Sequence, residues 1–167
     1  MEADGGRARR PMSVTQPVAV LQNPCRVPGV THKSGRIAEM VAQFQGQELD
    51  ARYLAYFNCF NREMFYEAHD VLEDLWLLDR KGPDGDFYKG LIQLAGAFVH
   101  LQKGRLQPCV ALLRLARSNL GHFPSIHHGL DVMAVLHLTT EWEALVNGAR
   151  SKPDAQQWSY PKLQSPA

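Results

Sequence analysis

His69 and Glu73 stand four residues apart in the stretch from Phe65 to Trp76, so a helix there brings both side chains onto one face. An imidazole with a carboxylate one turn away can share a proton, be held in one tautomer, or give two ligands to a divalent ion. Two ligands are too few, since a stable metal site takes three or four. Further polar groups come from the segment 86–102, where Lys89, Gln93 and His100 form one stripe on an otherwise apolar cylinder, with Gly96 beside it. Together these residues define a candidate pocket between two helices: His69 and Glu73 on one side, Gln93 and His100 on the other, Lys89 near the mouth. His69, Glu73 and His100 are its candidate ligands for a divalent metal. The first expectation for these groups is an interhelical polar network, in which they satisfy one another and buried water and fix how the helices pack, and the ligand or metal pocket is the alternative. No nucleophile with an adjacent base and an orienting third group can be read from the chain, so no catalytic role is assigned.

Other groups carry weaker signals. His122, His127 and His128 cluster between the last two helical segments, where histidines are ordinarily solvated and bind metal only adventitiously. Trp76 and Trp142 have the setting of core anchors. Arg105, Arg114 and Arg117 read as a solvated helix surface with modest capacity for an anion. Cys25, Cys59 and Cys109 lack a C-x-x-C spacing, so free thiols are expected in place of a disulfide framework or a thiolate zinc site.

The elements that must position these residues are helical. Ile37, Met40, Val41 and Phe44 share one face of a short segment that Gly46 ends, and Leu49, Tyr53, Tyr56, Phe57 and Phe60 recur at helical spacing over 47–60. The segment 63–79 gathers Met64, Phe65, Ala68, Val71, Leu72, Leu75, Trp76 and Leu78 on one arc, with Glu67, Asp70 and Asp74 opposite. A loop follows at Lys81 to Gly85, where Asp84 or Asp86 can cap the next helix. The segment 86–102 is apolar almost all round, which demands cover from neighbours. Pro108 opens a helix to about 120, and a last one over 130–147 turns Met133, Leu136, Trp142, Leu145 and Val146 inward. No alternating apolar run competes. The expected fold is therefore all-α, a compact antiparallel bundle of about five helices.

The chain of 167 residues and net charge +1 is the size of one domain with tails. Residues 1–38 carry six Lys or Arg against Glu2 and Asp4, and contain four prolines without sustained periodicity. The expected organisation is a disordered extension over 1–35, a helical domain over 36–148 and a polar tail over 149–167. Met12 offers an alternative start, and an arginine-rich organellar leader is poorly matched by the early acids and prolines. Near-neutral charge argues against a nucleic-acid binder with a strongly basic face. No run approaches the roughly 20 apolar residues of a membrane span, and no secretory h-region is present. A cytoplasmic setting is expected.

Two stretches carry a family resemblance. F-N-R-E-M-F-Y-E-A-H-D-V-L-E-D-L-W and, after the loop, F-Y-K-G-L-I-Q-L-A-G-A-F-V-H-L-Q-K-G resemble a small, chiefly bacterial and archaeal domain-of-unknown-function family. Its signatures, E-A-H-x-x-x-E-x-x-W and G-L-I-Q-x-A, fall on Glu67, Ala68, His69, Glu73 and Trp76, then on Gly90 to Gln93 and Ala95. With the later segments Leu112 to Ala116 and Gly129 to Val132, the resemblance spans about 52–146. It implies a bundle of antiparallel helices and supplies no reaction. The functional expectation is a binding or scaffold module, with a small-ligand or divalent-metal-binding protein, extending to a metal-assisted hydrolase, as the alternative. Its partner is expected to be a protein or a small molecule, and a helix as apolar as 86–102 leaves room for a dimer.

Overall fold

The computed structural model describes residues 32–149 and 158–166, so the expected N-terminal extension lies outside the described residues over 1–31, while its residues 32–35 open the first helix. Six helices follow one another: α1 (His32–Ala42), α2 (Ala51–Asn61), α3 (Phe65–Trp76), α4 (Gly85–Gln102), α5 (Leu106–Leu120) and α6 (Val132–Ala149). The all-α bundle is as the periodicity predicts. From α2 to α6 each helix packs chiefly on the next. Side-chain contacts show opposed directions: Gly90 lies against Leu120 and Gly96 against Leu112 across α4 and α5, while Arg114 reaches Glu143 and Arg117 reaches back to Thr140 across α5 and α6.

Local chemistry sets the boundaries. Asp50 caps α2 by accepting from the Arg52 backbone N–H at 2.8 Å, and its carboxylate also pairs with the Arg52 guanidinium at 2.7 Å. Between α2 and α3 the chain reverses at Glu63, which takes the left-handed conformation (φ 64°) while Met64 N–H donates to the Cys59 carbonyl. Helix α3 stops at Trp76, one turn earlier than the apolar arc suggests. Leu78 is consequently exposed, because Leu78 and Asp79 turn in i→i+3 steps that carry it off the core face.

The core is aromatic at one end. Tyr53, Tyr56, Phe57 and Phe60 of α2 are fully buried with Phe65, Phe87 and Phe98, and Tyr56 satisfies its hydroxyl by donating to the Leu91 carbonyl at 2.9 Å. Cys59 and Cys109 are buried, and burial pushes the Cys109 thiol up to about 12. Cys25 lies outside the described residues.

Three expectations are corrected here. The segment 126–131 contains a two-stranded hairpin, β1 (Ile126–His127) and β2 (Leu130–Asp131), turned by His128 and Gly129 at φ 46° and 74°. Two-residue strands are too short to show a periodicity. Met133 and Leu145 are exposed, since α6 is apolar on several faces and it is Val132, Val135, Thr139 and Val146 that meet the core. The tail read as polar has an apolar portion: Leu163 is buried, and Tyr160 packs on Phe65 and lies parallel to Trp142. That strap is extended, so its apolar residues lack the helical spacing that identified the other core segments. Asn61 fastens it through both amide atoms, donating to the Leu163 carbonyl at 2.8 Å and accepting from its N–H at 2.7 Å.

Gly90 and Gly96 on α4 make opposite demands. A Cβ at Gly90 would meet Leu120 Cγ at 2.7 Å and the Ala116 carbonyl at 3.3 Å, whereas one at Gly96 would meet Leu112 Cδ1 at an ordinary 3.4 Å. Gly90→Ala is therefore expected to cost about 1–3 kcal/mol through overpacking. Gly96→Ala should gain up to about 1 kcal/mol from helix propensity. Urea denaturation of the two variants checks both signs. Glu143 supplies a second expectation: the Arg114 and Arg117 hydrogen bonds hold its carboxyl below the ordinary value of 4.5. A depressed carboxyl stabilises the fold above its unfolded pKa and ceases to do so as pH falls through its folded one. The stability difference between wild type and Glu143→Gln, about 0.5–1 kcal/mol at neutral pH, should thus shrink once pH drops below 4.5.

Candidate functional site

Four of the five residues singled out by spacing line one cleft. His69 and Glu73 from α3 face Gln93 and His100 from α4 across an open cavity of about 490 Å³, which α5 closes with Leu112. Gly96 forms part of its floor, and the antiparallel register follows from Gly96 lying opposite His69 and Lys103 standing 5.8 Å over the Tyr66 ring. Lys89 does not line the cleft and is exposed. The same register places it level with the end of α3, where the wall stops.

The polar groups do not join across the cleft into the interhelical network expected of them. His69 Nδ1 lies 3.2 Å from Asp70 Oδ1 and 3.9 Å from Glu73 Oε2, so its close partner is the neighbouring residue on its own helix. Gln93 is engaged from the other side: its Oε1 accepts from Asn119 Nδ2 of α5 at 2.6 Å. Among the described residues no hydrogen bond runs from His69 or Glu73 to Gln93 or His100.

The candidate metal set changes in the same way. The donor atoms that converge within 4.8 Å on this face belong to His69, Asp70 and Glu73, with Asp70 where His100 was expected. Asp70 was placed on the opposite side of α3 by its helical angle, yet it is only partly exposed and lines the cleft. Its position at the edge of the arc left no periodic signal. Tyr66, Lys103 and Asn119 were likewise missed, being ordinary surface types at their sites.

His100 has the most distinctive setting. Its Nδ1 is buried and has no hydrogen-bond partner among the described residues. Burial, then the nearby charges of Arg105 and Lys103, push its pKa below the ordinary 6.5. The ring is therefore neutral at physiological pH, with one nitrogen able to accept and one to donate.

A second polar cluster lies outside the cleft. Asp84, expected to cap α4, makes no side-chain cap bond and instead accepts from His127 Nε2 at 2.7 Å and His128 Nε2 at 2.9 Å. Partial burial raises the Asp84 carboxyl, but the bonds and charges of His128 and His127 outweigh it and hold the group below its ordinary value.

The cleft residues from α3 and α4 belong to one contiguous stretch of known kinship. Residues 53–112 match DUF309, a domain of unknown function. The DUF309 segment runs from the first buried residue of α2 to Leu112 and so contains every residue lining the cleft. It is shorter than the 52–146 of the sequence resemblance, leaving α6 and the 126–131 hairpin beyond it. No curated protein and no solved structure matches the chain.

The histidine gives a direct expectation. A base whose pKa is lower folded than unfolded takes its proton first in the unfolded chain, so stability falls as pH drops below 6.5 and levels off below the folded pKa. NMR titration should find His100 below 6.5, moving upward in Lys103→Ala as one repelling charge is removed.

Proposed function

We propose that this helical domain is a binding module, and that the cleft between α3, α4 and α5 receives a small, elongated, dipolar organic molecule. The observation that carries this reading is the polar arrangement around a solvent-open cavity whose opposed groups do not satisfy one another. Glu73 lies toward the Gln93 end, while His100 and Lys103 lie toward the Tyr66 end. The 1.5 Å rise per residue puts about 15 Å of helix between Gln93 and Lys103. Ile92, Gly96, Val99 and Leu112 supply apolar surface between them. A ligand with a cationic group at one end, an anionic group at the other and an apolar middle complements such a groove. Neutral His100 offers it a hydrogen bond without a charge.

The near-neutral chain suits a small molecule better than a nucleic acid. No helix among the described residues is long and apolar enough to cross a membrane. The buried free thiol of Cys109 suits a reducing compartment such as the cytoplasm.

Stability and binding should separate. Glu73 is 43% exposed and makes only a 3.9 Å contact with His69, so Glu73→Ala is expected to change stability by less than about 0.5 kcal/mol. A loss of about 1–3 kcal/mol in denaturant melts would instead assign Glu73 to internal packing. For binding, amide shifts of the labelled protein would be followed against amino-acid-like dipolar compounds and their singly charged analogues. Dipolar compounds should move α3 and α4 resonances, Gly96→Leu should abolish the effect with the fold retained, and Lys103→Ala should weaken it about fivefold. Silence across such a library, or undiminished binding to Gly96→Leu, counts against the proposal.

A further inference from the structure

We infer that Asp84, His127 and His128 form a binding site for one divalent transition-metal ion of the zinc type, separate from the cleft. One oxygen of Asp84 and the Nε2 atoms of both histidines lie within 4.8 Å of one another. Each histidine already contacts its own carboxylate oxygen, at 2.7 and 2.9 Å. Around zinc, with bonds of about 2.0–2.1 Å, tetrahedral ligand atoms stand roughly 3.3 Å apart. Opening the cluster by about half an ångström admits the ion, with each imidazole carrying its proton on Nδ1 and offering Nε2 as ligand.

The local fold turns both rings to the same place. Consecutive residues of an extended strand point to opposite faces, and His127 ends β1. His128 leaves the extended conformation for the left-handed one, at φ 46°, and its ring thereby comes to the same carboxylate as its neighbour's. Asparagine, aspartate and histidine adopt that conformation most readily among residues other than glycine. Packing fixes the ring planes: Phe87 and Phe123 stand 4.7 and 4.8 Å from His127, and Tyr88 lies within 6° of parallel to His128. The Tyr53 hydroxyl donates to the His128 carbonyl at 3.3 Å.

Ligand chemistry selects the ion. Two imidazoles and one carboxylate favour zinc and its neighbours over magnesium or calcium, which take oxygen. Three protein ligands leave a fourth position for water or an external group. The side chains are 22–34% exposed, so an ion can reach them. The His69, Asp70 and Glu73 set has equal numbers but comes from one helix turn, with Glu73 43% exposed. In the Asp84 set the ligands come from segments more than forty residues apart and are held from two sides.

The test is zinc titration of the untagged full chain after chelator treatment, with cobalt(II) as a visible reporter of tetrahedral geometry. One equivalent should bind, and Asp84→Asn, His127→Gln and His128→Gln should each weaken it at least tenfold, while His69→Ala leaves it unchanged. Long-range nitrogen spectra of the wild-type protein need no variant: the Nε2 signals of His127 and His128 must shift together on adding zinc. Absence of that shift, several weak equivalents indifferent to the three substitutions (an adventitious ion only), or loss of binding in His69→Ala would each overturn the assignment.

Discussion

A helix that is apolar on all but one stripe must be covered along the rest of its circumference, and α4 imposes that condition on the rest of the molecule. Leu91, Ile92, Leu94, Ala95, Ala97, Phe98 and Leu101 are all buried, and at helical spacing they take up about 220° of the circumference, all but the stripe of Gln93 and His100. Burial of each large side chain is worth about 1.5–3 kcal/mol, so leaving even one face bare would consume much of a small domain's stability. Helices α3 and α5 enclose it from two sides, the aromatic row of α2 from a third, and the strap at 158–166 adds Tyr160 beside Phe98. Close approach of α5 depends on Gly90, where the packing leaves no room for a methyl group.

The same condition explains the cleft. The polar stripe of α4 is the one line along which α3 and α5 do not close completely, and Gly96 keeps its floor low. On the α5 side the stripe is tied down by the Gln93–Asn119 bond, while on the α3 side it opens to solvent. The cavity is thus a product of helix enclosure: polar residues on an apolar axis need water or a partner, and the bundle leaves room for one.

Much of the architecture was legible because long helices announce themselves by period. Apart from Leu78, the arcs over 63–79 and 86–102 name core residues, and the stripe of Gln93 and His100 is readable as an interruption in one of them. What escaped was set by contacts between segments. Asp84 has the position of a helix cap, and only the hairpin brings two histidines to its carboxylate. Asp70 lies on the shoulder of its helix, where a few degrees decide between solvent and groove. Lys89 shares the stripe but stands level with the end of α3, so its period was correct and its surroundings were not. Trp158, Tyr160 and Leu163 are apolar without a helical repeat, and nothing local marks such a segment as core.

The Asn61 clasp ties residues 102 positions apart, whereas the helices pack mainly on their immediate successors in the chain. Contacts between consecutive helices cost little loop-closure entropy and form early, whereas a contact closing so large a loop can form only on a surface already assembled. The strap therefore docks late in folding. Held by one short segment, it is also the part of the core whose opening leaves the remaining helices in place, so amide exchange there is governed by local release and α4 exchanges only with global unfolding.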